Sequence, residues 1–193
     1  ATAATSTANF TNIGFNNIST GGITFANANT LLCTTGGVTN TGTVATTTTF
    51  TACPFGVDLS GGTFIQGIST VTPGTLTYTG GGFKNGTFRK WFGTTTMATT
   101  LPSTTVGNFP FVVNGANRNF QIANSAAAQT TGGTISVSYT PTAGLATVSG
   151  TDPSGSVAFN RLTNSYWTVT TGDGYTAAGN FIVNAGMEGI ANL

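Results

Sequence analysis

The chain has 193 residues, a formal net charge of +1 and only 5% charged residues, against about 25% in an ordinary soluble domain. That balance lacks the basic footprint of a nucleic-acid or anionic-membrane binder. The absence of any histidine excludes histidine-dependent triads, Cys–His dyads and His-ligated metals. With 43 Thr, 28 Gly and 14 Phe, the composition favours short strands and tight turns and not disorder, since disordered chains lack aromatics and carry charge.

In chain order, the opening "ATAATSTANF" reads as a mature terminus left after secretion, and no apolar run approaches the roughly 18 residues of a membrane-spanning helix. Early strand signals are "ITF" with Ile23 and Phe25, and "VDL" with Val57 and Leu59. "TLTYT" alternates through Leu76 and Tyr78. "GGFKNGTFRKWFGTTT" (residues 81–96) places Thr87, Arg89 and Trp91 on one face and Phe88, Lys90 and Phe92 on the other. Its Asn85-Gly86 pair predicts a hairpin, with Lys84 as a solvated turn residue.

"FPFVV", "FQI", "TISVSYT", "YWTVT" and "FIV" come next as further strands. In "TISVSYT", Ile135, Val137 and Tyr139 alternate with Ser136 and Ser138. One helical turn is predicted, at "NSAAAQ" (residues 124–129). The phrases "TGGITF", "TGGVTN", "SGGTFI", "TGGGF" and "TGGTIS" mark turns by paired glycines, at intervals too irregular for a strict repeat. "TDPSG" and "TGDGY" add an Asp-Pro turn and an Asp-Gly hairpin signal.

The pattern predicts an all-β fold: an antiparallel β-sandwich, jelly-roll-like, with many short strands and Gly-Gly turns. The alternative is a β-solenoid N-terminal part followed by a sandwich. One domain spanning 1–193 is expected, with a possible subdivision at 94–105.

Several phrases, "FNNISTGGITF", "GTLTYT", "GGFKNGTFRKWF", "NFPFVVNGANRNFQI", "TGGTISVSYTPTAGL" and "NSYWTVTTGDGY", occur in that order. Together they resemble a pattern in large secreted surface proteins of the Bacteroidetes–Chlorobi group, many exported by type IX secretion. The resemblance implies an extracellular or cell-surface, β-rich, adhesive or structural role and carries no catalytic residues. The Phe-Pro phrase departs from the pattern, reading "FPFVVNG" where such proteins more often have Gly soon after Pro.

The residues themselves point away from an enzyme. Asp58, Asp152, Asp173 and Glu188 are the only carboxylates; two of them sit in turn phrases, and none is visibly paired for glycoside chemistry. No cofactor is expected. A Ca²⁺ site at "GDG" would start from one carboxylate. Thr-rich runs such as "TGTVATTTTFT" invite O-glycans, and Asn9, Asn17 and Asn85 open N-glycosylation sequons. Cys33 and Cys53 are expected to form a disulfide, as in an oxidising compartment.

The function expected first is a structural subunit that self-assembles into a filament or surface layer, its partner being itself. The termini 1–15 and 181–193 are the candidate inter-subunit strands, through Phe10, Ile13 and Phe15 and through Phe181, Val183, Met187, Ile190 and Leu193. The second expectation is an adhesive or carbohydrate-binding module for surface glycans. Lys84, Arg89, Lys90 and Trp91 are its possible interface or platform. Neither nucleic acid nor membrane insertion is expected.

Overall fold

The computed structural model describes residues 9–16, 23–24, 32–35, 38–41, 43–95, 97–102, 105–113, 115–126, 128–141, 145–151, 158–163 and 165–186. Side-chain surroundings are described for those of them in 47–141, apart from Ala52, and in 165–186. Every regular element among them is a strand. In the N-terminal half these are β1 (Asn9–Asn16), β2 (Ile23–Thr24), β3 (Leu32–Thr35), β4 (Val38–Thr41), β5 (Thr43–Ala52), β6 (Val57–Asp58), β7 (Thr63–Gln66), β8 (Thr75–Tyr78), β9 (Phe83–Lys84) and β10 (Thr87–Phe92). The C-terminal half adds β11 (Asn108–Phe109), β12 (Val112–Val113), β13 (Ala116–Asn117), β14 (Phe120–Asn124), β15 (Gln129–Thr131) and β16 (Gly133–Thr140). It ends with β17 (Leu145–Thr151), β18 (Ala158–Thr163), β19 (Tyr166–Gly172), β20 (Thr176–Ala177) and β21 (Phe181–Ala185).

The all-β expectation holds, with a division that corrects the purely antiparallel picture. β5, β6 and β7 make one coil and β8, β9 and β10 the next. β5 pairs with β8, β6 with β9 and β7 with β10, all in parallel. β1 and β2 add parallel partners beneath β5 and β6. A parallel bridge from Phe83 to Phe111 starts the layer above. This is the solenoid arrangement named as the alternative. Its rungs lie roughly 30 residues apart, within the range of repeat architectures, yet their irregular spacing hides them from a search for period.

The coils turn at corners that also stack. Ser60 and Asn85 both take positive φ, 50° and 52°. Leu59 N–H donates to Lys84 C=O at 3.0 Å, Gly61 N–H to Asn85 C=O at 2.6 Å, and Thr87 N–H to Gly62 C=O at 2.9 Å. Asp58 holds both corners, accepting from its own chain's Ser60 N–H (2.8 Å) and from Asn85 Nδ2 (2.7 Å). A Cβ on Gly86 would come within 2.5 Å of Leu59 Cβ, so only glycine lets the corners approach. The Asn85-Gly86 pair is therefore a coil corner and not the predicted hairpin, because the strands on either side join different ladders.

Above β10 the pairing changes direction. Its far edge pairs with β16 antiparallel over six residues, and β16 pairs with β19 antiparallel over seven. One sheet thus runs β1–β5–β7–β10–β16–β19. A second antiparallel layer, β11–β14–β21, lies against it. β12 and β13 form a hairpin with Val113 opposite Ala116. The helical turn predicted at 124–129 is absent among the described residues. Asn124 and Gln129 end β14 and begin β15, and Asn124 Nδ2 donates to Gln129 Oε1 at 2.9 Å.

The core is a chain of aromatic rings. Phe83 meets Phe50, Phe64 and Phe88 at centroid distances of 4.9, 4.7 and 5.0 Å. Phe88 meets Phe109 at 5.6 Å, and Phe109 meets Phe120 at 6.3 Å. Trp167 closes the far end against Phe111, Phe120 and Tyr139. Every inward position of β10 is buried, as the alternation predicts.

Candidate functional site

β10 carries three of the residues singled out from sequence, and the strand sends them to different fates. Lys90 points inward and is 1% exposed. Its Nζ donates to three main-chain carbonyls of one loop: Thr105 at 2.9 Å, Val106 at 2.5 Å and Asn108 at 3.2 Å. The rings of Phe109, Phe88 and Phe92 surround it at 5.2, 5.8 and 5.9 Å. Burial pushes its pKa from 10.5 down to about 7. A side chain so enclosed cannot serve as a surface platform; it clasps the 105–108 loop to the seam between parallel and antiparallel pairing.

Arg89 points the other way and forms an ion pair with Asp173, which also accepts from Thr134 Oγ1 at 2.7 Å. Asp173 and Gly174 both have positive φ, 53° and 78°. The "TGDGY" turn is therefore real, but β20 pairs with β15 and not with β19, so it too is a corner and not a hairpin. Its carboxylate is held by protein partners. No group of three or more His, Cys, Asp or Glu able to hold a metal occurs among the described residues. Asp152 and Glu188 lie outside them.

Trp91 is half-buried and packs on Ile65. It lines a cleft of about 400 Å³ with Leu76, Val106 and Gln66. Gln66 is buried, and its Oε1 has no hydrogen-bond partner among the described residues. Sequence reasoning missed Gln66; its one signal is a polar residue closing the apolar run "TFIQ". Lys84 lines a separate cleft of about 320 Å³ with Asn85, Phe111 and Tyr139.

The candidate assembly residues divide as well. Phe10, Ile13 and Phe15 belong to β1, whose backbone pairs within the chain to Ala45, Thr48 and Phe50; their side chains lie outside the described residues. Phe181 and Val183 belong to β21, where all five residues are exposed. Met187, Ile190 and Leu193 lie outside the described residues. No disulfide is seen among the described residues: Cys53 is buried, and the Cys33 side chain lies outside them.

The most unusual surface is the open side of the C-terminal sandwich. Cross-strand partners share a face. Val183 opposes buried Ile122, and Val169 opposes buried Val137, so both belong to the core-facing sides of their layers. Even so, Val183 is 50% and Val169 41% exposed, with Phe181 at 42% and Tyr166 at 53%. Among the described residues β19 and β21 are each the last strand of their sheet, and Trp167 Nε1 ties β19 to the end of β21 by donating to Gly186 C=O at 2.9 Å. Core-type side chains thus reach water where a further strand would cover them. Neither strand carries Lys, Arg or Pro, the devices that blunt an edge. Sequence marked "YWTVT" as a strand without revealing that it would end the sheet.

No protein-family model, curated protein or solved structure matches the chain. No helix among the described residues is long and apolar enough to cross a membrane, which bears only on helical spans.

Proposed function

We propose that the protein is an extracellular structural subunit that assembles with copies of itself into a filament or surface layer through strand-edge contacts. The carrying observation is the open mouth of the sandwich, where core-facing Val169, Phe181 and Val183 stand half-exposed on unguarded terminal strands. Adding a strand to such an edge pairs the main-chain groups that no described strand pairs, and it covers the apolar side chains. A net charge of +1 offers little repulsion between copies. The composition and the resemblance to secreted surface proteins support the same reading.

Electron microscopy and sedimentation of the secreted protein test it, and fibres or sheets are expected. Deleting 181–193, or 1–15, is expected to abolish assembly while secretion persists. Polymers unchanged by both deletions would refute it. The second reading is an adhesive or carbohydrate-binding module, favoured by the Trp91 cleft with its unpartnered Gln66 Oε1. That reading expects glycan binding that is lost on Trp91→Ala by a protein that stays monomeric.

A further inference from the structure

Apart from β8, which branches from β5, the strands of the seven-stranded sheet form one path, and among the described residues its two ends differ. Its order places β1 at one end and β19 at the other, with β5, β7, β10 and β16 between them. Resting on the assembly reading above, we propose that copies join head-to-tail through these two ends. The edge of β19 that pairs with no strand among the described residues takes β1 of the next copy, and one sheet runs unbroken along the polymer.

Strand direction supports this pairing. β1 runs parallel to β5, β5 to β7 and β7 to β10. β10 is antiparallel to β16, and β16 is antiparallel to β19. Two reversals cancel, so β19 runs in the same direction as β1. A copy shifted along the sheet, with only the usual strand-to-strand twist, therefore brings its β1 beside β19 in parallel register. The contact joins two different surfaces and does not close, so it propagates. A two-fold contact between β19 and β19 would instead be antiparallel and stop at a dimer.

Length and chemistry agree. β1 has eight residues and β19 seven, so the edges match end to end. β19 pairs with β16 through seven consecutive residues without a register shift, which leaves its outer edge straight. Its sequence "YWTVTTG" and that of β1, "NFTNIGFN", contain no charge and no proline. Neither edge carries the guards that natural sheets use against such pairing. On β19, exposed Tyr166, Thr168, Val169 and Thr170 would meet the incoming strand's neighbours.

A charge placed on the edge tests the pairing. Thr170→Lys puts a cation on an exposed position of β19, and the thermal melt of the monomer is expected to stay near wild type. Polymer mass by sedimentation is expected to fall at least tenfold. Adding this variant as a minority to wild-type protein is expected to shorten filaments, since its intact β1 joins a growing end that it then caps. Combining Thr170→Lys with Asp at one of Thr11, Asn12 or Ile13 is expected to restore polymers, because each interface then holds one cation and one carboxylate. If Thr170→Lys polymerises like wild type while Ile182→Lys on β21 does not, assembly stands but this interface falls. If Thr170→Lys blocks and none of the three Asp variants rescues, β19 pairs with something other than β1 and the proposal falls. If wild-type protein forms no polymer at any concentration, both readings fall.

Discussion

The coils of residues 43–92 and the antiparallel strands of residues 120–185 use the same Thr, Gly and aromatic vocabulary to opposite ends. In the coils, β5, β7 and β10 each have strands on both sides, and Phe50, Phe64, Phe83 and Phe88 are completely buried. In the antiparallel part, β19 and β21 have a strand on one side only among the described residues, and Tyr166, Val169, Phe181, Ile182 and Val183 stand 41–53% exposed while Trp167 alone packs inward. The difference lies in the connections. Corners such as Asp58–Gly62 and Lys84–Gly86 pass the chain upward onto its own previous turn, so each edge made is soon covered. Antiparallel pairing has no such device: β19 and β21 each have one paired neighbour among the described residues.

The comparison breaks most sharply by truncating one ring in each part. Phe83→Ala should cost about 4 kcal/mol, because the ring touches three others and nothing can collapse into its place. Phe181→Ala should cost less than about 1 kcal/mol in the monomer, since its ring is 42% exposed and its one ring contact among the described residues is a stack on Tyr175 at 6.2 Å. Urea denaturation of the two variants under non-assembling conditions checks the contrast.

The seam responds next. Lys90→Met removes the donor shared by the carbonyls of Thr105, Val106 and Asn108, which the ammonium serves with three N–H groups and the neutral amine of alkaline pH with two, a loss of about 3 kcal/mol at alkaline pH. The depressed pKa sets the sign with pH. Between about 7 and 10.5 the unfolded chain holds a proton that the folded chain lacks, so wild-type stability rises with pH across that window. Below it both states are protonated and the burial cost is fully present. The deficit of Lys90→Met should therefore shrink towards neutral pH. A variant whose deficit stays constant from pH 7 to 10 would show that Lys90 is not titrating there.

Tyr175 sets the upper limit. Burial pushes its hydroxyl up to about 12, opposed by a hydrogen bond from Asn124, so stability falls as pH rises from 10 towards 12. Chemical denaturation across this range should show a maximum near pH 10.

Corner packing is smaller in effect and local to the coils. Gly86→Ala should cost about 2 kcal/mol by forcing the Leu59 and Lys84 corners apart. Asp173→Asn in the antiparallel part should cost no more than about 1 kcal/mol, because Arg89 and Asp173 are both partly exposed and solvent screens their attraction.

Much of the strand inventory was legible in the sequence. "TISVSYT" and "TFRKWF" bury the alternate residues that period two predicts. Partner choice was not legible, and the two Asn-Gly pairs show why. The pair at 114–115 lies between Val113 and Ala116, which face each other in a hairpin. The pair at 85–86 lies between strands that belong to different ladders. Both dipeptides are turn signals; the next strand's partner depends on which edge is already waiting, and no local residue records that. Lys90 is similar. Alternation placed it beside Phe88 and Phe92, but its three acceptors lie 15 to 18 residues further along the chain. Three carbonyls can satisfy an ammonium with no carboxylate in view, so no charge pattern announced the site.

The seam also bears on survival among proteases. Enzymes that cut after Lys or Arg find only five such residues in the chain, and two of them, Arg89 and Lys90, are consecutive in a strand paired along both edges. A protease needs several residues in extended, unpaired form, so cleavage there must wait for β10 to leave both neighbours, an opening close to global unfolding. Resistance to digestion at this point therefore reports the cohesion of the whole sheet, and limited trypsin treatment becomes a direct gauge of whether the two pairing regimes come apart together.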